Sequence, residues 1–110
     1  MAFPLSAALL DSLVLSVVEG GDTYGYELTR YIRDCTEVSE STLYPVLRRL
    51  MKNGLLECYD REYMGRNRRY YHITTAGKGA LGGYRRDWEE HKRCIDSILT
   101  KGGAGQNGQI

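Results

Sequence analysis

Residues 41–54 read Ser41-Thr-Leu-Tyr-Pro-Val-Leu-Arg-Arg-Leu-Met-Lys-Asn-Gly54, and this stretch determines the fold. Apolar residues recur in it at three- and four-residue intervals, which predicts a helix with a buried face of Leu43, Val46, Leu47, Leu50 and Met51. Ser41 is expected to cap the helix and Gly54 to end it. The other side carries hydroxyl groups, an aromatic ring and cations, which suit the major groove of DNA. An ordinary amphipathic helix with a solvated basic face is the alternative.

Two further helices are predicted before this stretch. The first covers residues 7–18 and ends at Gly20-Gly21, with Asp11 on its polar side. The second is capped by Asp22 or Thr23 and is joined to residues 41–54 by a short connection, which predicts a helix-turn-helix. The inward-facing residues of the two helices are Leu9, Leu10, Leu13, Val14, Val17 and Val18, then Tyr24, Leu28, Tyr31, Ile32 and Cys35.

A β-hairpin is predicted after the helix-turn-helix. Leu55–Asp60 and Arg68–Thr74 alternate in polarity as two strands do. The loop between them, Arg61–Asn67, contains a glycine turn and a basic tip that continues into Arg68 and Arg69. A basic hairpin in this place is a wing, which lies along a phosphate backbone or enters a minor groove.

The last helix begins at Thr74 or Thr75 and runs to about Leu99. Its apolar residues step by three and four, and this seam predicts a dimer interface of Leu81, Tyr84, Trp88, His91, Ile95 and Ile98. Packing of the seam on its own domain is the alternative. Four glycines between Gly77 and Gly83 weaken the start of the helix. The Gly-rich tail, residues 100–110, is expected to be disordered.

Composition limits the function. The chain has 110 residues, which is one domain, and a net charge of only +1. Residues 41–72 nevertheless hold seven Lys or Arg against three acids, which predicts a local anion-binding face. The three cysteines lie far apart without metal-type spacing, so we expect a reduced, cytoplasmic protein without a metal. No apolar run is long enough to cross a membrane, so no membrane partner is expected.

An enzyme is not expected. Residues 77–82 read Gly-Lys-Gly-Ala-Leu-Gly, which matches the glycine pattern of a dinucleotide site. Such a site also needs a second parallel strand and an acid about twenty residues further on, whereas the pattern after the glycines predicts a helix and a disordered tail. His72 and His91 have no ligand or catalytic partner at a suitable spacing. No cofactor is therefore predicted, and a dinucleotide-dependent enzyme is a minor alternative.

Three motifs resemble the PadR family of winged-helix transcriptional regulators. They are Tyr24-Gly-Tyr-Glu-Leu28, Ser41–Leu50 with Asn53-Gly-Leu-Leu56, and Arg66-Asn-Arg-Arg-Tyr-Tyr-His-Ile-Thr74 with Gly77. The resemblance covers roughly residues 5–99, and the single helix after the wing is similar to the short subfamily. It implies a homodimeric repressor on a pseudo-palindromic DNA operator. It also implies that Trp88 pairs across the dimer axis and contacts a planar aromatic effector, with Leu5, Ala8 and Ser12 near the pocket.

The sequence therefore predicts a mainly α fold with a small β-hairpin, of the α+β class. Residues 1–74 are the winged helix-turn-helix domain, residues 75–99 the dimerisation helix and residues 100–110 the tail. The predicted DNA-binding residues are Ser41, Thr42, Tyr44, Arg48, Lys52, Arg66, Arg68 and Arg69. The main alternative function is a winged-helix module that contacts a protein and does not bind DNA.

Overall fold

Four helices and a three-stranded antiparallel sheet form residues 6–100, the part of the chain that this computed structural model describes. The elements are α1 (Ala7–Glu19), β1 (Thr23–Tyr24), α2 (Gly25–Arg33), α3 (Glu40–Lys52), β2 (Leu56–Tyr63), β3 (Arg66–Ile73) and α4 (Thr75–Leu99). The strand order is β1-β3-β2. The predicted α+β winged helix is confirmed. The predicted disordered tail, apart from Thr100, and the predicted pocket residue Leu5 lie outside the described residues.

Helix α1 lies at the centre of the packing, in contact with α2, α3, α4 and β3. Because several elements cover it, its buried residues are not confined to the predicted stripe. Leu15 is fully buried, and Asp11, which the sequence placed on the outside, is only 8% exposed. The prediction for Asp11 was wrong because this carboxylate has a partner, Arg49 of α3, at a distant position in the sequence.

The start of α2 differs from the prediction. Thr23 and Tyr24 form the short strand β1, which pairs with Tyr71 and Tyr70 of β3, and Tyr24 is the residue that precedes the helix. The predicted caps Asp22 and Thr23 therefore precede the helix start and do not cap it. Helix α2 has nine residues and buries Leu28, Thr29 and Ile32. Such a short helix covers little of the core, and the predicted inward residues Tyr31 and Cys35 are exposed.

Helix α3 begins two residues earlier than the sequence indicated. Ser39 is its N-cap, and the Ser39 side chain accepts a hydrogen bond from the backbone N–H of Thr42 at 3.2 Å. The prediction of Ser41 as the cap was therefore wrong, and Ser41 lies in the first turn. The buried face consists of Leu43, Val46, Leu47 and Leu50, as predicted, and the fifth predicted member, Met51, is partly buried against the core. Gly54 follows the helix with a φ of 75°, a conformation that glycine adopts without strain.

The wing is longer and its turn is tighter than predicted. Strands β2 and β3 pair from Leu56 opposite Ile73 to Tyr63 opposite Arg66. Only Met64 and Gly65 connect them, with φ values of 52° and 78°, which is the geometry of a two-residue hairpin turn. The predicted loop Arg61–Asn67 is therefore mostly strand. The alternation rule failed here because seven of the eight β2 residues are exposed, so neither face carries an apolar pattern.

Helix α4 leaves the core close to the base of the wing. Thr74 is its N-cap, as predicted, and accepts a hydrogen bond from the Gly77 N–H at 2.9 Å. Gly77 is buried against the backbone carbonyl of Leu55, and a Cβ at this position would also lie 2.7 Å from Cγ1 of Ile73. This close approach requires a glycine. Leu81 is 1% exposed in the core of its own chain, so its assignment to the dimer seam was wrong.

The second half of α4 extends from the core without burial. Residues 85–99 are all exposed. The overall dimensions of 63 × 30 × 20 Å and the radius of gyration of 17.1 Å reflect this extension, because a compact chain of about 100 residues has a radius near 13 Å. None of the helices in residues 6–100 is long and apolar enough to cross a membrane.

Candidate nucleic-acid interface

The outer face of α3 presents the residues that the sequence assigned to DNA. Ser41, Thr42, Tyr44, Arg48 and Lys52 are all exposed on this helix. The hydroxyl group of Ser39 lies 2.9 Å from that of Ser41 and 3.1 Å from that of Thr42. The start of α3 therefore carries a cluster of hydroxyl groups, followed by a tyrosine and two cations. A helix with such a face can contact phosphate oxygens and base edges together.

Two adjacent arginines of α3 have different environments. Arg48 is exposed, whereas the guanidinium of Arg49 contacts the buried carboxylate of Asp11 on α1. The Arg49 side chain is 41% exposed and that of Asp11 is 12% exposed. Arg48 is therefore available to an external anion, and Arg49 connects the helix to the interior of the protein.

The wing cations also differ from one another. Arg66 is exposed next to the turn. Arg68 is partly buried, with its guanidinium carbon 4.5 Å from the ring centroid of Tyr24 and 5.4 Å from that of Tyr63. Its Nε is buried and has no hydrogen-bond partner among the described residues. Cation–π contacts of this kind hold a guanidinium in a fixed position on the wing.

Arg69 and Asp60 form a weak pair on the wing. Nε of Arg69 lies 3.8 Å from Oδ1 of Asp60, and both side chains are more than half exposed. An exposed pair at this distance contributes little to stability. Arg69 can therefore exchange this carboxylate for a phosphate at low cost.

A groove of about 470 Å³ separates α3 from the wing. Its walls bring together residues from β1, α2, α3 and both long strands: Tyr24, Gly25, Tyr26, Glu40, Tyr44, Asp60, Asn67, Arg68, Arg69 and Tyr71. The structure thus places Tyr44, Arg68 and Arg69, which are distant in the sequence, around one opening. Glu40 and Asp60 add negative charge at the same place, so a bound phosphate is expected nearer to the arginines.

The base of the wing is fixed to the turn after α1. The Tyr59 hydroxyl donates a hydrogen bond to Oδ2 of Asp22 at 2.7 Å, and Nδ1 of His72 lies 2.9 Å from Oδ1. Partial burial acts to raise the pKa of the Asp22 carboxyl, but the contacts with Tyr59 and His72 outweigh it and the pKa lies below the usual 3.8. The bond to Asp22 raises the pKa of the Tyr59 hydroxyl.

A second set of predicted residues meets where α1 crosses α4. Trp88, Ala8 and Ser12 line one cavity of about 380 Å³ together with Tyr84 and His91. Trp88, Ser12 and Tyr84 also line a neighbouring cavity of about 350 Å³. Trp88 is 45% exposed, and beyond it on the same helix Ile95 and Ile98 are 38% and 63% exposed. The structure therefore brings together the described members of the predicted effector pocket. It leaves the C-terminal part of the predicted seam, Ile95 and Ile98, exposed.

Residues 14–82 match the profile of the transcriptional regulator PadR-like family, which is more than half of the chain. The chain belongs to the PadR-like family. It is 40% identical to a Streptococcus mutans protein of known structure, with a TM-score of 0.85 over 91% of this chain and 94% of the other. It is 31% identical to a PadR family transcription regulator from Clostridium difficile, with a TM-score of 0.76 over 82% and 97% of the two chains.

A transcriptional regulator from Mycobacterium tuberculosis is 41% identical over 83 residues, which cover 74% of this chain and 78% of that protein. The resemblance to PadR regulators that the motifs indicated is thereby confirmed at the level of the family. PadR-like regulators are not enzymes, in agreement with the prediction.

Several residues of this PadR-like interface were not predicted from sequence. Tyr24, Tyr26 and Asn67 line the groove, and Asp22 fixes the wing. The motif Tyr24-Gly-Tyr contained the only signal for the first two, because two tyrosines flank a glycine at the start of a helix. Asn67 belongs to the third motif and Asp22 was predicted only as a helix cap, so neither was assigned to the interface, because their neighbours there come from other elements.

Proposed function

We propose that this PadR-like regulator binds double-stranded DNA as a homodimer and represses transcription. The observation that carries the proposal is the common orientation of α3 and the wing around one groove. Arg48 and Lys52 on the helix, and Arg66 and Arg69 on the hairpin, are all exposed cations. With α3 in the major groove, the wing reaches the adjacent backbone or minor groove.

The residues have separate roles in this proposal. The start of α3, with Ser41, Thr42 and Tyr44, contacts base edges and nearby phosphates. Arg48 contributes to both. Lys52, Arg66, Arg68 and Arg69 contact mainly phosphates and supply affinity that depends on salt. Arg68 acts from a fixed position because two tyrosine rings hold its guanidinium.

Dimerisation occurs through α4 in this proposal. The exposed apolar residues Trp88, Ile95 and Ile98 follow one seam of a helix that extends from the core. A second copy would cover this seam and set the distance between the two α3 helices. On B-DNA two such helices need a separation of about 34–36 Å to reach successive major grooves.

A planar aromatic effector binds next to Trp88 and the same tryptophan of the second copy. The short PadR subfamily, which this chain resembles in having one helix after the wing, suggests this site. The cavities lined by Trp88 and Tyr84 support this part of the proposal. Bound there, a ligand that prefers the DNA-free arrangement would move the two winged domains out of register. A ligand with equal affinity for both arrangements would have no effect.

A mobility-shift assay tests DNA binding. The protein is titrated against the DNA upstream of its own gene and against shuffled DNA of equal length, between about 50 and 200 mM salt. We expect preference for the upstream DNA and a steep loss of affinity with salt. Arg48→Ala should weaken binding, whereas Arg93→Ala, an exposed arginine outside the α4 seam, should not. Absence of binding to any DNA at low salt would favour the protein-interaction alternative.

Fluorescence of Trp88 tests the effector, because the chain has a single tryptophan. Planar aromatic dyes should quench the emission saturably. Trp88→Ala, which has no tryptophan emission, should lose dye affinity as measured by calorimetry. Unchanged dye affinity in the variant would place the dye elsewhere. No saturable quenching by any dye would remove the effector from the proposal and leave DNA binding intact.

A further inference from the structure

One buried carboxylate connects three helices. Asp11 of α1 is 8% exposed. Its Oδ1 contacts Nη2 of Arg49 on α3, and its Oδ2 lies 3.4 Å from the hydroxyl of Tyr84 on α4. A buried charge of this kind is stable only while it is paired and hydrogen-bonded. A change in the contact at one carboxylate oxygen therefore changes the strength of the contact at the other oxygen.

The Tyr84 hydroxyl is a donor in this contact. Burial first, and then the negative charge of Asp11, raise the pKa of the Tyr84 hydroxyl above its usual 10.0, so it keeps its proton at neutral pH. Its 3.4 Å distance to the carboxylate is long for a hydrogen bond between oxygens. The tyrosine can therefore approach the carboxylate or withdraw from it at small cost.

The two ends of this contact lie at different functional surfaces. The Tyr84 side chain lines both cavities beside Trp88. Arg49 is the neighbour of Arg48 on α3, and its contact with Asp11 joins the second half of that helix to α1. A continuous series of contacts thus runs from the cavities through Tyr84, Asp11 and Arg49 to the proposed recognition helix.

We propose that Asp11 is a positioning residue that transmits occupancy of the Trp88 cavities to α3. A ligand that displaces the Tyr84 ring removes a hydrogen bond from Asp11, so the carboxylate turns more fully to Arg49 and α3 shifts on α1. DNA affinity then changes within one subunit, in addition to any movement of the two subunits. This inference rests on the proposed function, since it concerns regulation of the same DNA-binding surface.

The test compares DNA affinity with and without 8-anilinonaphthalene-1-sulfonate, an aromatic anion used as a probe of the cavities. In the wild type, a saturating concentration of the probe should change DNA affinity by about fivefold or more. Tyr84→Phe keeps the ring and removes only the hydroxyl. Its own affinities for DNA and for the probe are measured first, and at a saturating probe concentration the ratio of its DNA affinities with and without the probe should fall close to one. Tyr31→Phe, at an exposed tyrosine of α2, is the matched control and should behave as the wild type.

A Tyr84→Phe variant that retains the full effect of the probe would overturn the inference, while the proposed function would stand. If the probe does not bind the wild type, or binds without changing DNA affinity, the effector part of the proposed function fails for this probe. The connection is then decided by a double-mutant cycle in DNA affinity with Tyr84→Phe, Arg49→Lys and their combination. Fold-changes that multiply within about twofold would overturn it, and a larger departure would support it. Asp11→Asn replaces Arg49→Lys if the lysine variant does not fold.

Discussion

The wing and the second half of α4 both extend from the same core, but they carry opposite kinds of exposed surface. The wing is stabilised within its own chain by the eight residue pairs between β2 and β3 and by the cation–π contacts of Arg68 with two tyrosines. Its exposed side chains are mostly polar or charged. Residues 85–99 of α4 are a single exposed helix with Trp88, Ile95, Ile98 and Leu99 partly or mostly in water.

The difference indicates two different partners. Charged side chains on a preformed hairpin lose little by staying in water and gain most from a polyanion. Large apolar side chains gain about 1.5–3 kcal/mol each when they are buried, and only an apolar surface supplies that gain. The wing is thus suited to nucleic acid and the end of α4 to a second protein surface, which is a second copy of the chain in our proposal. The four predictions below test this contrast, beginning with the largest expected effect.

Ile95→Glu combined with Ile98→Glu should convert a dimer into a monomer. The mass by light scattering should fall from twice 12.5 kDa to that of one chain. Operator affinity should fall by about 100-fold or more, because the second half-site is no longer held at a high effective concentration. Arg93→Glu with Ser97→Glu places two glutamates on the opposite face of the helix, with a larger total change in charge, and should have little effect. An unchanged mass in the seam variant would contradict dimerisation through α4.

Gly77→Ala should destabilise the joint between α4 and the base of the wing. Its methyl group would collide with the Leu55 carbonyl and lie within 2.7 Å of Ile73, so the free energy of unfolding should fall by about 1–3 kcal/mol. Gly79→Ala is the matched control, because no atom lies within 4 Å of a Cβ there. It should raise the free energy of unfolding by up to about 1 kcal/mol through helix propensity. Equal denaturation midpoints for the two variants would contradict the close approach at Gly77.

Arg66→Ala should weaken binding to operator and to random DNA alike. Removal of one phosphate contact should reduce the slope of log affinity against log salt by about one unit. Affinity at 0.1 M salt should therefore fall by roughly five- to tenfold. Arg93→Ala again serves as the control. Loss of discrimination between operator and random DNA, with an unchanged slope, would show that Arg66 recognises bases.

Asp22→Asn should have the smallest effect, a slight and pH-dependent loss of stability. The folded pKa of Asp22 lies below 3.8, so the ionised carboxylate stabilises the fold above that pH, and the contribution is lost as the pH falls below it. The melting temperatures of the variant and the wild type should therefore differ at neutral pH and converge in acid. Asp87→Asn, at an exposed position on α4, should show no such convergence. A difference that persists well below pH 3.8 would assign the stabilisation to another group.

The sequence predicted the elements whose signals are local. Apolar residues at helical spacing predicted α3 and its buried face, and a threonine after a strand predicted the start of α4. Strand β1 was missed because two residues carry no period. Asp11 was placed outside because a charge without a visible partner is normally solvated, and its partner lies 38 positions away.

The candidate site, like the fold, was predictable only where its signals are local in the sequence. The α3 face and the wing cations followed from local composition, and the structure places three of these residues, Tyr44, Arg68 and Arg69, around one groove. The predicted seam of α4 extended too far toward the N-terminus, because Leu81 has the right spacing but lies in the core of its own chain. Periodicity alone does not show where the core ends along a continuous helix. The tyrosines of β1 and α2 that complete the groove depend on tertiary packing.

The edges of the small sheet have a consequence for solubility. Strand β2 is at one edge, and β1 covers only Tyr70 and Tyr71 at the other. Long open edges are templates for pairing with further chains, which leads to aggregation. On β2 the exposed residues include Glu57, Asp60, Arg61 and Glu62. These charges discourage wing-to-wing pairing at high protein concentration, so the hairpin whose β3 arginines are suited to a nucleic acid is protected along β2 from its own copies.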